Sequence, residues 1–235
     1  MPATLEQLMD TKADLHPDLE AAKCKADGLG WDCIKHPLLF AVPYMPEMNA
    51  VYNKQYECRA ATVEKAVVEK NWSRILGFTE RPYRFQTFME HMGLMTNAEY
   101  WENLGWLWTD SENLWQVGKR ELRGLLNSER SGRELMMDPE EREALAALPE
   151  TFPVYRGHGP KNKWGFSWTL DLAKAAWFAN RFTRKGERQL VTEGACLKAN
   201  AVALFLGRNE KEIVTDPMKL KALKNVNLND RGPQP

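Results

Sequence analysis

Apolar residues change rhythm near residue 150. Upstream they recur at three-to-four spacing, the period of an amphipathic helix, and downstream they fall into short β-branched and aromatic runs bounded by Gly and Pro. Leu5, Leu8, Met9 and Lys12 open the helical part and Gly28-Leu29-Gly30 breaks it, which predicts one or two short helices over residues 1–35. Three prolines between His36 and Pro46 predict an extended or turn-rich connection. From Met48 to Leu76 the pattern is helical again, with Val51, Tyr52, Cys58, Val63, Val67 and Ile75 in register and no internal Gly or Pro.

A further helix is predicted from about Arg84 to Met92. Thr96 and Glu99 have capping-box spacing at the head of a Trp-rich helix whose Trp101, Leu104 and Trp108 share one face. Asp110 can cap a following turn carrying Leu114 and Trp115, and Leu122, Leu125 and Leu126 continue the register. Asp138-Pro139-Glu140-Glu141 places a capping acid, a first-turn proline and two carboxylates at a helix start. The tryptophans from Trp101 to Trp115 can be read as a base-stacking platform, but aromatics at helical spacing are usually core, and that reading is preferred. His36 and His91 lack partners at metal-ligand spacing, and Met89, Met92 and Met95 read as gap-fillers in the same core.

After Pro149, Phe152–His158 and Gly165–Thr169 read as strands. Asp171 caps a helix with Leu172, Ala175, Ala176, Ala179 and Phe182 on one face, and Gln189–Leu197, Ala201–Leu206 and Glu212–Thr215 read as three more strands. The order predicts an α+β protein, with a helical lobe over 1–150 and a small mixed β-sheet region over 151–235.

Composition narrows the class. Over 235 residues, 43% apolar and 27% charged, the chain can bury one sizeable core or two smaller lobes. It has no apolar run of membrane-spanning length, and its first residues lack the pattern of a secretory signal, so a cytoplasmic protein without a membrane partner is expected. Cys24, Cys33, Cys58 and Cys196 are irregularly spaced and form no Cys-x-x-Cys pair, which reads as reduced thiols and no metal site. A secreted disulfide framework would call for denser cysteines in a smaller chain. Residues 151–235 hold 15 basic against 7 acidic side chains, +8, leaving 17 against 25, −8, in residues 1–150. That asymmetry suits an anionic ligand, such as a dinucleotide pyrophosphate or nucleic acid, or docking between the two halves.

Three features of the β-rich part carry chemistry together. They are Tyr155-Arg156-Gly157, then Gly165-Phe166-Ser167-Trp168-Thr169-Leu170-Asp171 running into a helix, then Glu210-Lys211-Glu212 beside a strand. An arginine on a strand offers planar, permanently charged donors to a phosphate or ribose oxygen. Gly157 leaves the backbone open to close approach, and Ser167 and Thr169 present hydroxyls on one strand face with Trp168 on the other. Each feature alone has a plainer reading: a surface arginine, a helix start, a solvated turn. His158 is equally a site or a loop residue.

In that order the features resemble the mono-ADP-ribosyltransferase family of the arginine, Ser-Thr-Ser and Glu-x-Glu type, over residues 152–216. Trp168 and Thr169 depart from the family's second and third hydroxyl residues. The resemblance implies NAD as substrate, bound by Arg156, Gly157, Ser167 and Thr169, with Glu212 facing the positive charge that develops on the ribose. It also implies Glu210 near a macromolecular acceptor, protein in preference to nucleic acid, with a protein arginine as one candidate acceptor. The helical lobe is then expected to wall the NAD cleft or to support the sheet. Competing readings are an NAD glycohydrolase using the same site and a catalytically silent phage or bacterial protein-binding factor.

Overall fold

The computed structural model describes residues 4–26, 28, 30–41, 43–111, 117–160, 162–181 and 190–226, arranged as an α+β fold. Leu29, Leu114, Trp115, Phe182 and Gln189, to which sequence reading assigned a break, a turn, a helix face and a strand end, lie outside the described residues. The chain divides into two compact units, 1–99 and 100–235. Residue 150, where the rhythm changes, lies inside the second unit, so the Trp-rich helix shares a unit with the large sheet.

The first unit carries α1 (Leu5–Met9), α2 (Pro17–Ala21), β1 (Lys23–Lys25), β2 (Asp32–His36), β3 (Leu39–Ala41), α3 (Asn49–Val68), α4 (Trp72–Phe78) and α5 (Arg84–His91). The antiparallel sheet β1-β2-β3 corrects the purely helical reading of residues 1–35, while β3 falls in the stretch expected to be extended. Strands of three to five residues span too few side-chain repeats to be told from a helix fragment. Their pairing is decided by burial of Ile34 and Leu39 with Leu15, Leu19 and Tyr52. The apolar pattern from Met48 to Leu76 also divides. Lys70 adopts φ 52°, and Asn71 starts α4 by accepting the Arg74 N–H at 3.1 Å. An asparagine cap outweighs uninterrupted helical spacing here.

Around the boundary, α6 (Asn97–Asp110) starts as its capping box predicts: the Thr96 N–H donates to the Glu99 carboxylate and the Glu99 N–H to the Thr96 hydroxyl. The second unit continues with α7 (Lys119–Leu126), α8 (Pro139–Ala147), β4 (Thr151–His158), β5 (Ser167–Thr169), α9 (Leu172–Arg181), β6 (Leu190–Leu197), β7 (Ala201–Phe205), β8 (Glu212–Thr215) and β9 (Lys221–Val226). Asp138 and Glu141 close a reciprocal capping box on α8, and Glu141 also accepts the Leu206 N–H at 3.0 Å. Six strands form one sheet in the order β7-β8-β5-β4-β6-β9. Every neighbouring pair is antiparallel, which corrects the mixed sheet expected from sequence.

Strand β9 escaped sequence reading because its alternation is weak and its lysines are exposed, the composition of a protected sheet edge. Trp101 and Trp108 are buried with Leu104, Leu107, Leu122, Leu125 and Leu126, whereas Trp106 is exposed. Among the described residues no helix is long and apolar enough to cross a membrane.

Gly105 sits where α6 passes the Met136 backbone, and a β-carbon there would overlap the Met136 carbonyl. Gly105→Ala is expected to destabilise the protein by about 1–3 kcal/mol, read from its urea midpoint, because backbone must move. Asp216 is nearly buried, and Arg123 donates to it from Nε at 2.7 Å and Nη2 at 3.2 Å. Burial raises the Asp216 carboxyl, but the Arg123 and Met218 hydrogen bonds and the nearby Arg123 and Lys219 charges outweigh it and hold the group below its ordinary range. A depressed folded pKa adds stability above the unfolded value, about 3.9, and loses it as pH falls through the folded value. Arg123→Ala is therefore expected to lower the urea midpoint at pH 7, with a smaller difference from the native protein at pH 3.

Candidate active site

Three neighbouring strands bring the sequence features together. On the shortest, β5, Thr169 stands opposite Tyr155 of β4 on one side and opposite Glu212 of β8 on the other. Directly opposed residues leave the sheet on one face, so Tyr155, Thr169 and Glu212 share it, and Ser167 joins them by alternation. Arg156, next to Tyr155, starts from the opposite pleat. Its guanidinium is still within electrostatic reach of Glu212.

Arg156 is tightly engaged. Nε donates to the Asn162 carbonyl at 3.1 Å, Nη2 to Asn162 Oδ1 at 2.6 Å, and Nη1 to the Ser167 carbonyl. A β-carbon at Gly165 would overlap the guanidinium, so that glycine lets the loop before β5 lie against the charge. Burial pushes the guanidinium down to about 10 and Glu212 opposes the shift, leaving it a cation at neutral pH. The arginine thus clasps its own loop as well as supplying charge.

Glu212 accepts a hydrogen bond from the buried Trp108 indole Nε1 at 3.0 Å. This partner was invisible in the sequence: Trp108 precedes Glu212 by 104 residues, and its helical spacing marks it as core. The indole fulfils both roles, burying its rings and orienting a carboxylate.

Glu210 lies just outside the strand read over Glu212–Thr215. Strand β8 begins at Glu212, and Glu210 sits in the preceding turn, so strand alternation does not align the two carboxylates. Asn209 and Lys211, which flank it, adopt φ 53° and 45°. Left-handed non-glycine residues cost of order 1 kcal/mol each, and such strain clusters at functional sites. Thr169 holds the turn, its Oγ1 donating to the Glu210 carbonyl at 2.6 Å and accepting the Asp171 N–H at 3.0 Å. The Leu170 N–H adds a bond to the Lys211 carbonyl at 3.1 Å.

Gly157 has a packing reason of its own. A β-carbon there would overlap the Ala175 carbonyl and the Ala179 nitrogen of α9, which lies against β4. Ala175 and Ala179 are fully buried with Val191, so small residues on both elements set the approach. Trp168 is buried, with its indole donating to the Gly165 carbonyl at 2.9 Å.

His158 is buried at the end of β4. Its Nδ1 lies 2.9 Å from the Gly159 carbonyl, which only accepts, so Nδ1 carries the proton and Nε2 accepts from Thr192 Oγ1 at 2.8 Å. Burial lowers its pKa, the Gly159 contact opposes that, and Arg156 and Lys163 lower it further, so the ring is neutral near pH 7. Among the described residues no group of three or more His, Cys, Asp or Glu is placed to hold a metal ion. No protein-family model, curated protein or solved structure matches the chain.

Gly157→Ala is expected to destabilise the protein by about 1–3 kcal/mol in urea unfolding, since helix backbone must retreat from the sheet. An unchanged midpoint would show that the approach of α9 does not depend on this glycine.

Proposed function

We propose that the protein is an NAD-dependent mono-ADP-ribosyltransferase. The observation that carries this reading is the carboxylate of Glu212, held by Trp108, opposite Thr169 in the sheet and electrostatically coupled to Arg156. In the proposed reaction the bond between nicotinamide nitrogen and ribose carbon breaks, and its electron pair leaves with nicotinamide. Positive charge develops on the ribose, where a fixed carboxylate lowers the barrier by preorganised electrostatics. A nucleophilic nitrogen of the acceptor, such as a protein arginine, then bonds to that carbon and gives up a proton.

In this reading Glu212 faces the ribose and its 2′-hydroxyl, Ser167 contacts the ribose, Thr169 fixes the Glu210 turn, and Arg156 presents positive charge to the phosphates. Glu210 stands towards the acceptor. The proposed setting is the cytoplasm, with NAD and a macromolecular acceptor as partners. The engagement of Arg156 by Asn162 and Ser167 favours a second reading, a protein-binding factor in which the arginine serves the loop alone.

Nicotinamide release from labelled NAD, with a cell lysate as the source of acceptors, tests the proposal. Glu212→Gln keeps the size and removes the charge, and is expected to reduce release and labelling at least about a hundredfold. Trp108→Phe keeps the core and removes the donor, with an expected loss of about tenfold, as for a hydrogen bond to a charged group. Release without label would identify a hydrolase. No release and no NAD binding by calorimetry would leave the binding-factor reading.

A further inference from the structure

Cys24 of β1 and Cys33 of β2 stand directly opposite each other in the antiparallel ladder, with their sulfurs 3.3 Å apart. Both are thiols. Two residues away on either side, the Lys35 N–H donates to the Ala22 carbonyl at 3.0 Å and the Ala26 N–H to the Trp31 carbonyl at 2.9 Å. The cysteines therefore occupy a pair of the hydrogen-bonded kind, whose Cα atoms lie about 5.5 Å apart, within the span of a disulfide. Closing the sulfurs to about 2.05 Å also draws the β-carbons from about 5.5 Å, usual for such a pair, to about 4 Å, so the two strands approach slightly as the bond forms. Cys24 is half-buried and Cys33 buried, so solvent reaches the pair through Cys24.

The other thiols lack this arrangement. Cys58 is exposed on α3, and Cys196 is buried on β6, where burial raises its pKa. The irregular spacing of the four cysteines hid the pair, because a cross-strand partner is set by hairpin register and not by a short motif.

We propose that Cys24 and Cys33 form a thiol–disulfide exchange site for low-molecular-weight disulfides of the glutathione class. The Cys24 thiol loses its proton and its sulfur attacks one sulfur of the small disulfide, whose S–S bond breaks and releases one small thiolate. Cys33 then loses its proton, attacks the Cys24 sulfur of the mixed disulfide and expels the second thiolate. The protein gives up two electrons and two protons and gains one S–S bond; the small disulfide becomes two thiols. The product bond crosses the β1–β2 hairpin, which contributes Ile34 to the core of the first unit. Because Cys24 stays within reach of solvent, excess thiol reverses the reaction.

The test treats the folded full-length protein with oxidised glutathione and maps its peptides without reduction. Expected are a Cys24–Cys33 disulfide, seen as the loss of two hydrogen masses, a glutathione adduct at Cys58, and recovery of all thiols in dithiothreitol. Cys33→Ser is expected to stop at a glutathione adduct on Cys24, and Cys58→Ser to leave the Cys24–Cys33 bond unchanged. A lasting adduct on Cys24 in the native protein would overturn the proposal. So would an unmodified Cys24 beside a modified Cys58, or a disulfide that forms only in denaturant. The native map decides even if a variant fails to fold.

Discussion

The second unit depends on a strand of three residues. Among the described residues β5 is the one strand hydrogen-bonded to both β4 and β8, so it joins the pair β7-β8 to the group β4-β6-β9. Thr169 concentrates that duty: its backbone faces Tyr155 and Glu212 across two interfaces, and its hydroxyl ties down the turn before β8 and the entry to α9. So short a strand contributes few ladder bonds, and side-chain anchors on either side complete the junction. On one side Arg156 grips the Ser167 carbonyl and the loop before it, and on the other Trp108 holds Glu212.

Each anchor involves a charged group, Arg156 in one and Glu212 in the other, and their energetics follow from burial. A guanidinium removed from water costs free energy unless its donors are satisfied, and Arg156 spends all three of its nitrogens on protein oxygens while feeling the charge of Glu212. At the other end of β8 the buried partner is instead the carboxylate: Asp216 accepts from the part-exposed Arg123 guanidinium and from the Met218 N–H. Two charge pairs therefore bracket a strand whose middle residues, Ile213 and Val214, are fully buried. The fold thus fixes the surroundings of Glu212 through its Trp108 hydrogen bond and its place opposite Thr169.

Glycine and alanine set how closely layers approach. Gly157 admits the backbone of α9 at Ala175 and Ala179, and Gly105 admits the Met136 carbonyl onto α6. In both places the absent side chain is filled by another segment's backbone, so a packing constraint explains a residue that motif reading assigns to a ligand.

Elements whose signals are local can be read directly from the chain. The capping boxes at Thr96–Glu99 and Asp138–Glu141, the Asp171 helix start and the strands around Arg156, Ser167 and Glu212 all lie where pattern and cap chemistry put them, because each signal is complete within a few residues. The burial of Trp101 and Trp108 was legible from helical spacing for the same reason. Features that depend on register and distance emerge only in the folded chain. The small sheet carrying Cys24 and Cys33, the edge strand β9, the break at Lys70, the turn that removes Glu210 from β8 and the Trp108–Glu212 bond all needed partners remote in the chain or backbone states that no motif announces. Local chemistry names candidate groups, and only the ladder and the packed helices determine which of them meet.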